Sequence, residues 1–174
     1  MKVELAKHTL PDGSDYYKVN PKGYVPLLVL DDGTPISEAS VILQYLADQK
    51  PGTLAPAFGS LARWKMMELL TFLATEVHKG FSALWNPATP AEVRKGAVDR
   101  LGTRFDILAQ TLAKQPYLTG DKFSIADAYL FVLLNWTKIH KVDLGRWPAL
   151  TEFQSRVAAR AAVQATFKAE GLVK

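Results

Sequence analysis

Val25-Pro26 and the helix start behind Ser37 carry groups that could hold a small peptide at its two ends. They punctuate the stretch from Asn20 to Ala39, Asn-Pro-Lys-Gly-Tyr-Val-Pro-Leu-Leu-Val-Leu-Asp-Asp-Gly-Thr-Pro-Ile-Ser-Glu-Ala. X-Pro bonds take the cis form at modest cost, about 0.5–1 kcal/mol. In that form the Val25 main-chain N–H and C=O would face outward, ready for strand addition by an extended ligand. The exposed amides of a helix start near Glu38 attract a carboxylate. The pattern suits a short peptide gripped at both ends, and it also suits a plain ββα unit with no ligand. Farther along, His78-Lys79 joins a side chain that titrates near neutral pH to one that can hold a carboxylate. Spacing alone reads this pair as a polar, partly exposed helix face beside Gly80.

The elements that must position these residues are marked by local chemistry. Pro26 opens the apolar run Leu27 to Leu30, and a proline at the first residue of a strand loses no ladder hydrogen bond. Asp32-Gly33 reads as a two-residue hairpin turn. Ser37 suits a helix N-cap, with Glu38 in the first turn and Val41, Ile42, Tyr45 and Leu46 on one face. Lys50-Pro-Gly-Thr-Leu-Ala-Pro56 reads as a linker. The organisation is therefore an α/β lobe over 1–50, a linker over 51–57 and a helical region over 58–174.

In that helical region, Leu61, Trp64, Met67, Leu70, Phe72, Leu73 and Val77 fall near helical spacing over 58–82. Thr89-Pro90-Ala91-Glu92 reads as a capping box opening a helix to about Lys114. Ser124 and Asp127 form a second capping pair, a structural N-cap ahead of an apolar run that predicts a buried central helix. Another helix follows Trp147-Pro148, and a short one ends before Gly171. Trp64, Trp85, Trp136 and Trp147 read mostly as core or interdomain packing residues.

Composition sets the outer limits. The chain has 174 residues, 48% hydrophobic and 22% charged, an ordinary globular balance with length enough for a good core. With no cysteine there is no disulfide, thiolate metal site or cysteine nucleophile, which fits a cytoplasmic location. His8 and His140 lack metal-ligand spacing, so no metal is expected. The net charge of +4 is mild and its lysines and arginines are scattered, which argues against a nucleic-acid partner. No apolar run is long enough to cross a membrane.

Taken together, "NPKGYVPLLVLDDGTPISEA", "ATEVHKGFSALWNP", "FSIADAYLF" and the tail "AEGLVK" resemble a bacterial glutathione S-transferase, most like the beta class. The resemblance covers essentially the whole chain. It implies an α+β, thioredoxin-like N-terminal lobe followed by an all-α C-terminal domain, in a homodimer. It further implies glutathione as substrate and conjugation to a small hydrophobic electrophile, a detoxification chemistry. Carried over residue by residue, Val25 and Pro26 meet the cysteinyl backbone of glutathione, and Glu38 with Ala39 holds its γ-glutamyl end. Ala39 brings only its backbone N–H to that task. His78 is the catalytic candidate and Lys79 a glutathione contact, while Phe81 and Trp85 line the electrophile pocket. Thr71 stands where the class often has asparagine.

Lys2-Val-Glu-Leu-Ala-Lys7 matches the family's second strand. The resemblance therefore implies a truncated lobe, missing the family's first strand, its first helix and the Tyr, Ser or Cys that activates the thiol. Impaired catalysis is the corresponding expectation. The alternatives are a non-catalytic dimerisation or partner-binding module, or a misassigned start codon. Tyr16 and Tyr17 lie in the loop before Asn20.

Overall fold

The computed structural model describes residues 2–172; Met1 and the Val173-Lys174 end of the tail motif lie outside the described residues. The chain divides into two compact units, Met1–Leu46 and Ala47–Lys174.

In the first unit, the run behind Pro26 forms strand β1 (Leu27–Val29), which pairs antiparallel with β2 (Pro35–Ser37). The turn between them is one residue longer than the Asp32-Gly33 signal implies. Leu30 N–H donates to the Thr34 carbonyl and Gly33 N–H to the Leu30 carbonyl, both at 2.9 Å. Gly33 takes the left-handed φ of 87° that a bulged three-residue turn requires. Helix α1 (Ala39–Asp48) follows, and Ser37 does not cap it. Ser37 ends β2 and its hydroxyl accepts from Lys22 Nζ at 3.2 Å. The Glu38 carbonyl instead receives the amides of Val41 and Ile42, each at 3.0 Å.

Lys2–Lys7 forms no continuous strand. Glu4 makes an isolated bridge to Thr9, which bridges in turn to Asp15. The Glu4 carbonyl is consumed locally, accepting from Lys7 at 3.2 Å and Thr9 at 3.3 Å, so the segment folds back on itself.

The second unit is helical. Ser60 Oγ caps α2 (Leu61–Phe72) by accepting from Arg63 N–H at 3.1 Å. The inward face of α2 is Arg63, Met66 and Leu70, continuing into Leu73 and Val77. Leu61 and Trp64 consequently face outward, 75% and 58% exposed, so Trp64 is a surface residue and not a core one. Arg63 is buried and forks onto both Asp48 carboxylate oxygens at 2.8 Å, the bidentate geometry that compensates a desolvated guanidinium. Beyond α2 the chain widens into a π-helical turn (Leu73–His78), tightens into a 3₁₀ turn (Lys79–Phe81) and ends in α3 (Ser82–Trp85). Gly80 permits this path: a Cβ there would lie 2.6 Å from Leu101 Cδ2.

Helix α4 (Ala91–Leu112) begins one residue later than a Thr89 cap would have it. Pro90 takes the cap position, its carbonyl accepting from Arg94 N–H at 3.0 Å. Helix α5 (Ile125–His140) is largely buried, but Val132 and Ile139 reach the surface. Asp127 accepts from Ser124 N–H, Ser124 Oγ and Leu118 N–H at 2.7–2.8 Å, binding the helix start to the preceding loop. Helices α6 (Pro148–Ala158) and α7 (Ala161–Glu170) complete the unit, α7 ending at left-handed Gly171. Leu101, Phe105, Leu130, Leu134, Leu150 and Phe153 form the core shared by α4, α5 and α6.

Candidate functional site

Four of the sequence-predicted residues belong to the first unit. The Val25–Pro26 bond is cis. Val25 is 44% exposed, and its N–H and C=O make no hydrogen bond among the described residues. A donor and an acceptor of main chain are thus open to an extended ligand. Glu38 sits at φ 71°, a left-handed value that is strained for any residue with a Cβ. Its exposed carboxylate lies 3.6 Å from Lys22 Nζ. The Ala39 and Ser40 amides, first in α1, make no hydrogen bond among the described residues. A charged side chain, two free helical amides and an open strand edge are therefore presented by one hairpin and the helix that follows it.

Two buried residues lie behind this edge: Asn20, which opens the quoted motif, and Tyr16, which precedes it. Tyr16, only 1% exposed, donates its hydroxyl to the Tyr24 carbonyl at 2.8 Å, and Asn20 Nδ2 donates to the same oxygen at 2.7 Å. Tyr17 stacks on His8 at 4.6 Å, and the pair closes over Gly23, where a Cβ would lie 2.7 Å from the Tyr17 ring. The only sequence signal for this arrangement is the turn asparagine itself.

His78, Lys79, Phe81 and Trp85 belong to the second unit. The π turn ends at His78, whose Nδ1 lies 2.8 Å from Tyr129 Oη, a hydrogen-bond distance. The His78 ring meets Trp136 edge-on at 4.7 Å; Trp136 in turn contacts Phe81 at 5.6 Å and Trp85 at 5.3 Å. Phe81 has no exposed surface, so it supports this cluster from beneath and offers a ligand no face. Trp85 is 49% exposed and does offer one. Lys79 is exposed. His140 packs against Trp85 at 4.3 Å, with its Nε2 buried and unpartnered. Burial, aided by the charge of Arg94, holds His140 below the usual imidazole range. Asp127 is pushed up by burial, against the three donors that stabilise its charge.

A cavity of about 600 Å³ opens elsewhere in the second unit, between 52–56, α2 and 118–124. Of the predicted residues only the structural Ser124 lines it, so cavity size does not mark the chemistry. Among the described residues no cluster of histidine and carboxylate side chains could hold a metal ion. No helix among them is long and apolar enough to cross a membrane.

Known proteins share this architecture. The family signature described as "Glutathione S-transferase, N-terminal domain" matches residues 2–49, and that of the C-terminal domain matches residues 72–161. Glutathione S-transferase GstA of Escherichia coli O157:H7 is 42% identical over 172 residues, covering 98% of this chain and 85% of GstA. The solved ternary complex of BphK, a bacterial GST, superposes with a TM-score of 0.95 at 48% identity, covering 97% of this chain and 85% of BphK. A sphingomonad glutathione S-transferase solved with glutathione gives 0.93 at 42% identity, covering 99% of this chain and 86% of that one. The match to the N-terminal signature begins at residue 2, so the segment that folds back on itself is part of the matched domain. On the strength of both signatures and these relatives, the chain belongs to the glutathione S-transferase family.

Proposed function

We propose that this protein is a beta-class-like transferase that binds reduced glutathione and joins its sulfur to the electrophilic carbon of a small hydrophobic acceptor. The observation that carries the proposal is the open Val25 edge beside the strained, exposed Glu38 at the start of α1. In this reading the Val25 main chain pairs with the cysteinyl backbone, and Pro26 belongs to the same contact. Glu38 accepts the γ-glutamyl ammonium, and the Ala39 N–H takes the γ-glutamyl carboxylate. From the second unit we assign Lys79 a carboxylate-holding role, and His78 with Trp85 a role toward the reaction and the electrophile.

The thiolate attacks the electrophilic carbon and displaces its leaving group, and hydrogen bonds to sulfur favour the thiolate. The exposed row Phe58, Leu61 and Trp64 favours a homodimer, since a cluster of large apolar side chains at the surface is an association signal. Light scattering on a Trp64→Glu variant should then report monomers.

The test of function is paired. Reduced glutathione is titrated calorimetrically, and turnover is followed with a chloronitrobenzene. Absence of binding would sink the proposal. Binding without turnover would leave the family's binding function and transfer the chain to the non-catalytic reading.

A further inference from the structure

We infer that Tyr16 and Asn20 are positioning residues that aim the Val25 N–H at the ligand; the inference rests on the glutathione reading above. In a trans peptide the C=O and N–H point in opposite directions from a rigid plane, and the Tyr24–Val25 bond is trans. The Tyr24 carbonyl receives both the Tyr16 hydroxyl and Asn20 Nδ2, at 2.8 and 2.7 Å. A carbonyl oxygen has two acceptor sites, and both are filled here. Tyr16 and Asn20 are 1% and 5% exposed, so the oxygen is held from the interior side. The opposite end of the same plane, the Val25 N–H, is thereby directed outward, where it has no partner among the described residues.

Local turn closure does not account for this arrangement. A turn asparagine needs only its side-chain oxygen on the amide two residues on, and Asn20 Oδ1 does accept from Lys22 N–H at 3.2 Å. The reach of Nδ2 to the Tyr24 carbonyl is additional. Nor does the tyrosine need its hydroxyl to fill a buried site, since a phenylalanine ring would fill the same volume. Both donors converge on the peptide that carries the ligand-facing amide. Both are buried, so their effect on a ligand runs through that peptide.

The test uses the full chain, uniformly labelled with ¹⁵N, and reduced glutathione as the probe. In the wild type, glutathione should shift the Val25 amide resonance and slow its hydrogen exchange. Tyr16→Phe should weaken binding about fivefold, the loss of one hydrogen bond, and should move the Val25 resonance before ligand is added. Asn20→Asp keeps the acceptor for Lys22 N–H, removes the Nδ2 donor and should weaken binding at least as much. Should Asn20→Asp fail to fold, Tyr16→Phe carries the test, because it preserves the buried ring. A wild-type Val25 amide indifferent to saturating glutathione would overturn the glutathione reading itself. A Val25 amide that responds in the wild type, with Tyr16→Phe binding within twofold of it, would overturn the positioning role alone. So would an affinity that falls in Tyr16→Phe while the free-state Val25 resonance stays in place.

Discussion

Replacing Glu38 with glycine should separate the stability of the fold from its grip on glutathione. Glu38 occupies φ 71°, a conformation that costs a residue with a Cβ about 1–2 kcal/mol. Glycine removes that cost but returns about 0.4–1 kcal/mol through the greater freedom of the unfolded chain. The exposed pair with Lys22, 3.6 Å apart, contributes between roughly nothing and 1 kcal/mol. These effects nearly cancel, so Glu38→Gly should melt within about 4 °C of the wild type, at roughly 2–4 °C per kcal/mol for a chain of this size. Binding should respond quite differently. A lost charge-assisted contact to the ligand ammonium is worth about 1.5–3 kcal/mol, so the dissociation constant for reduced glutathione should rise roughly 10- to 100-fold. Glu38→Ala provides the control: it loses the carboxylate but keeps the strain, and should melt below Glu38→Gly by roughly 1 kcal/mol. Scanning calorimetry and isothermal titration read the two quantities. A glycine variant less stable than the alanine variant, or one that binds glutathione like the wild type, would refute the reasoning.

Gly80→Ala should destabilise by about 1–3 kcal/mol in thermal melts, because its Cβ meets the buried Leu101 side chain at 2.6 Å. Trimming the obstacle with Leu101→Val should recover part of that loss, leaving the double variant more stable than the summed single effects. His140 is held below the usual imidazole range by burial first and Arg94 second, with the Phe81 and Trp85 rings packed against it. The folded state thus binds fewer protons than the unfolded state just below pH 6.5, and this part of stability is present above that pH and lost below it. Urea titrations from pH 7.5 to 5 should show the loss, and His140→Gln should flatten it.

What could be read from the residues follows how locally their chemistry acts. Val25-Pro26, the hairpin at Gly33 and the Ser124–Asp127 pair depend on neighbours a few positions away, and proline, glycine and short polar side chains declare such geometry. Helix α1 starts one residue beyond the point a Ser37 cap would set. Serine is a favourable cap by type, while a left-handed glutamate carries no signature in its identity. Helix α2 shows a different limit. Its apolar residues fall on two faces, Leu61 and Trp64 against Met66 and Leu70. The inward face is completed by Arg63, which reads as polar until Asp48 is found opposite it. Phe81 reads as a pocket residue by its place after His78, yet the tightened turn at Gly80 directs it into the core.

The residues hardest to foresee are those that act on main chain through main chain. Tyr16 and Asn20 meet at a carbonyl, and a carbonyl belongs to every residue alike, so no side-chain pattern betrays the convergence. The position they constrain is equally anonymous. In the proposed site, valine at position 25 offers glutathione only its N–H and C=O, groups that almost any side chain would leave in place. Substitution at Val25 should therefore affect binding far less than substitution behind it, at the buried hydroxyl and amide that fix the plane of its peptide. On that inference, the edge owes its aim to the buried scaffold behind it and not to its own side chain.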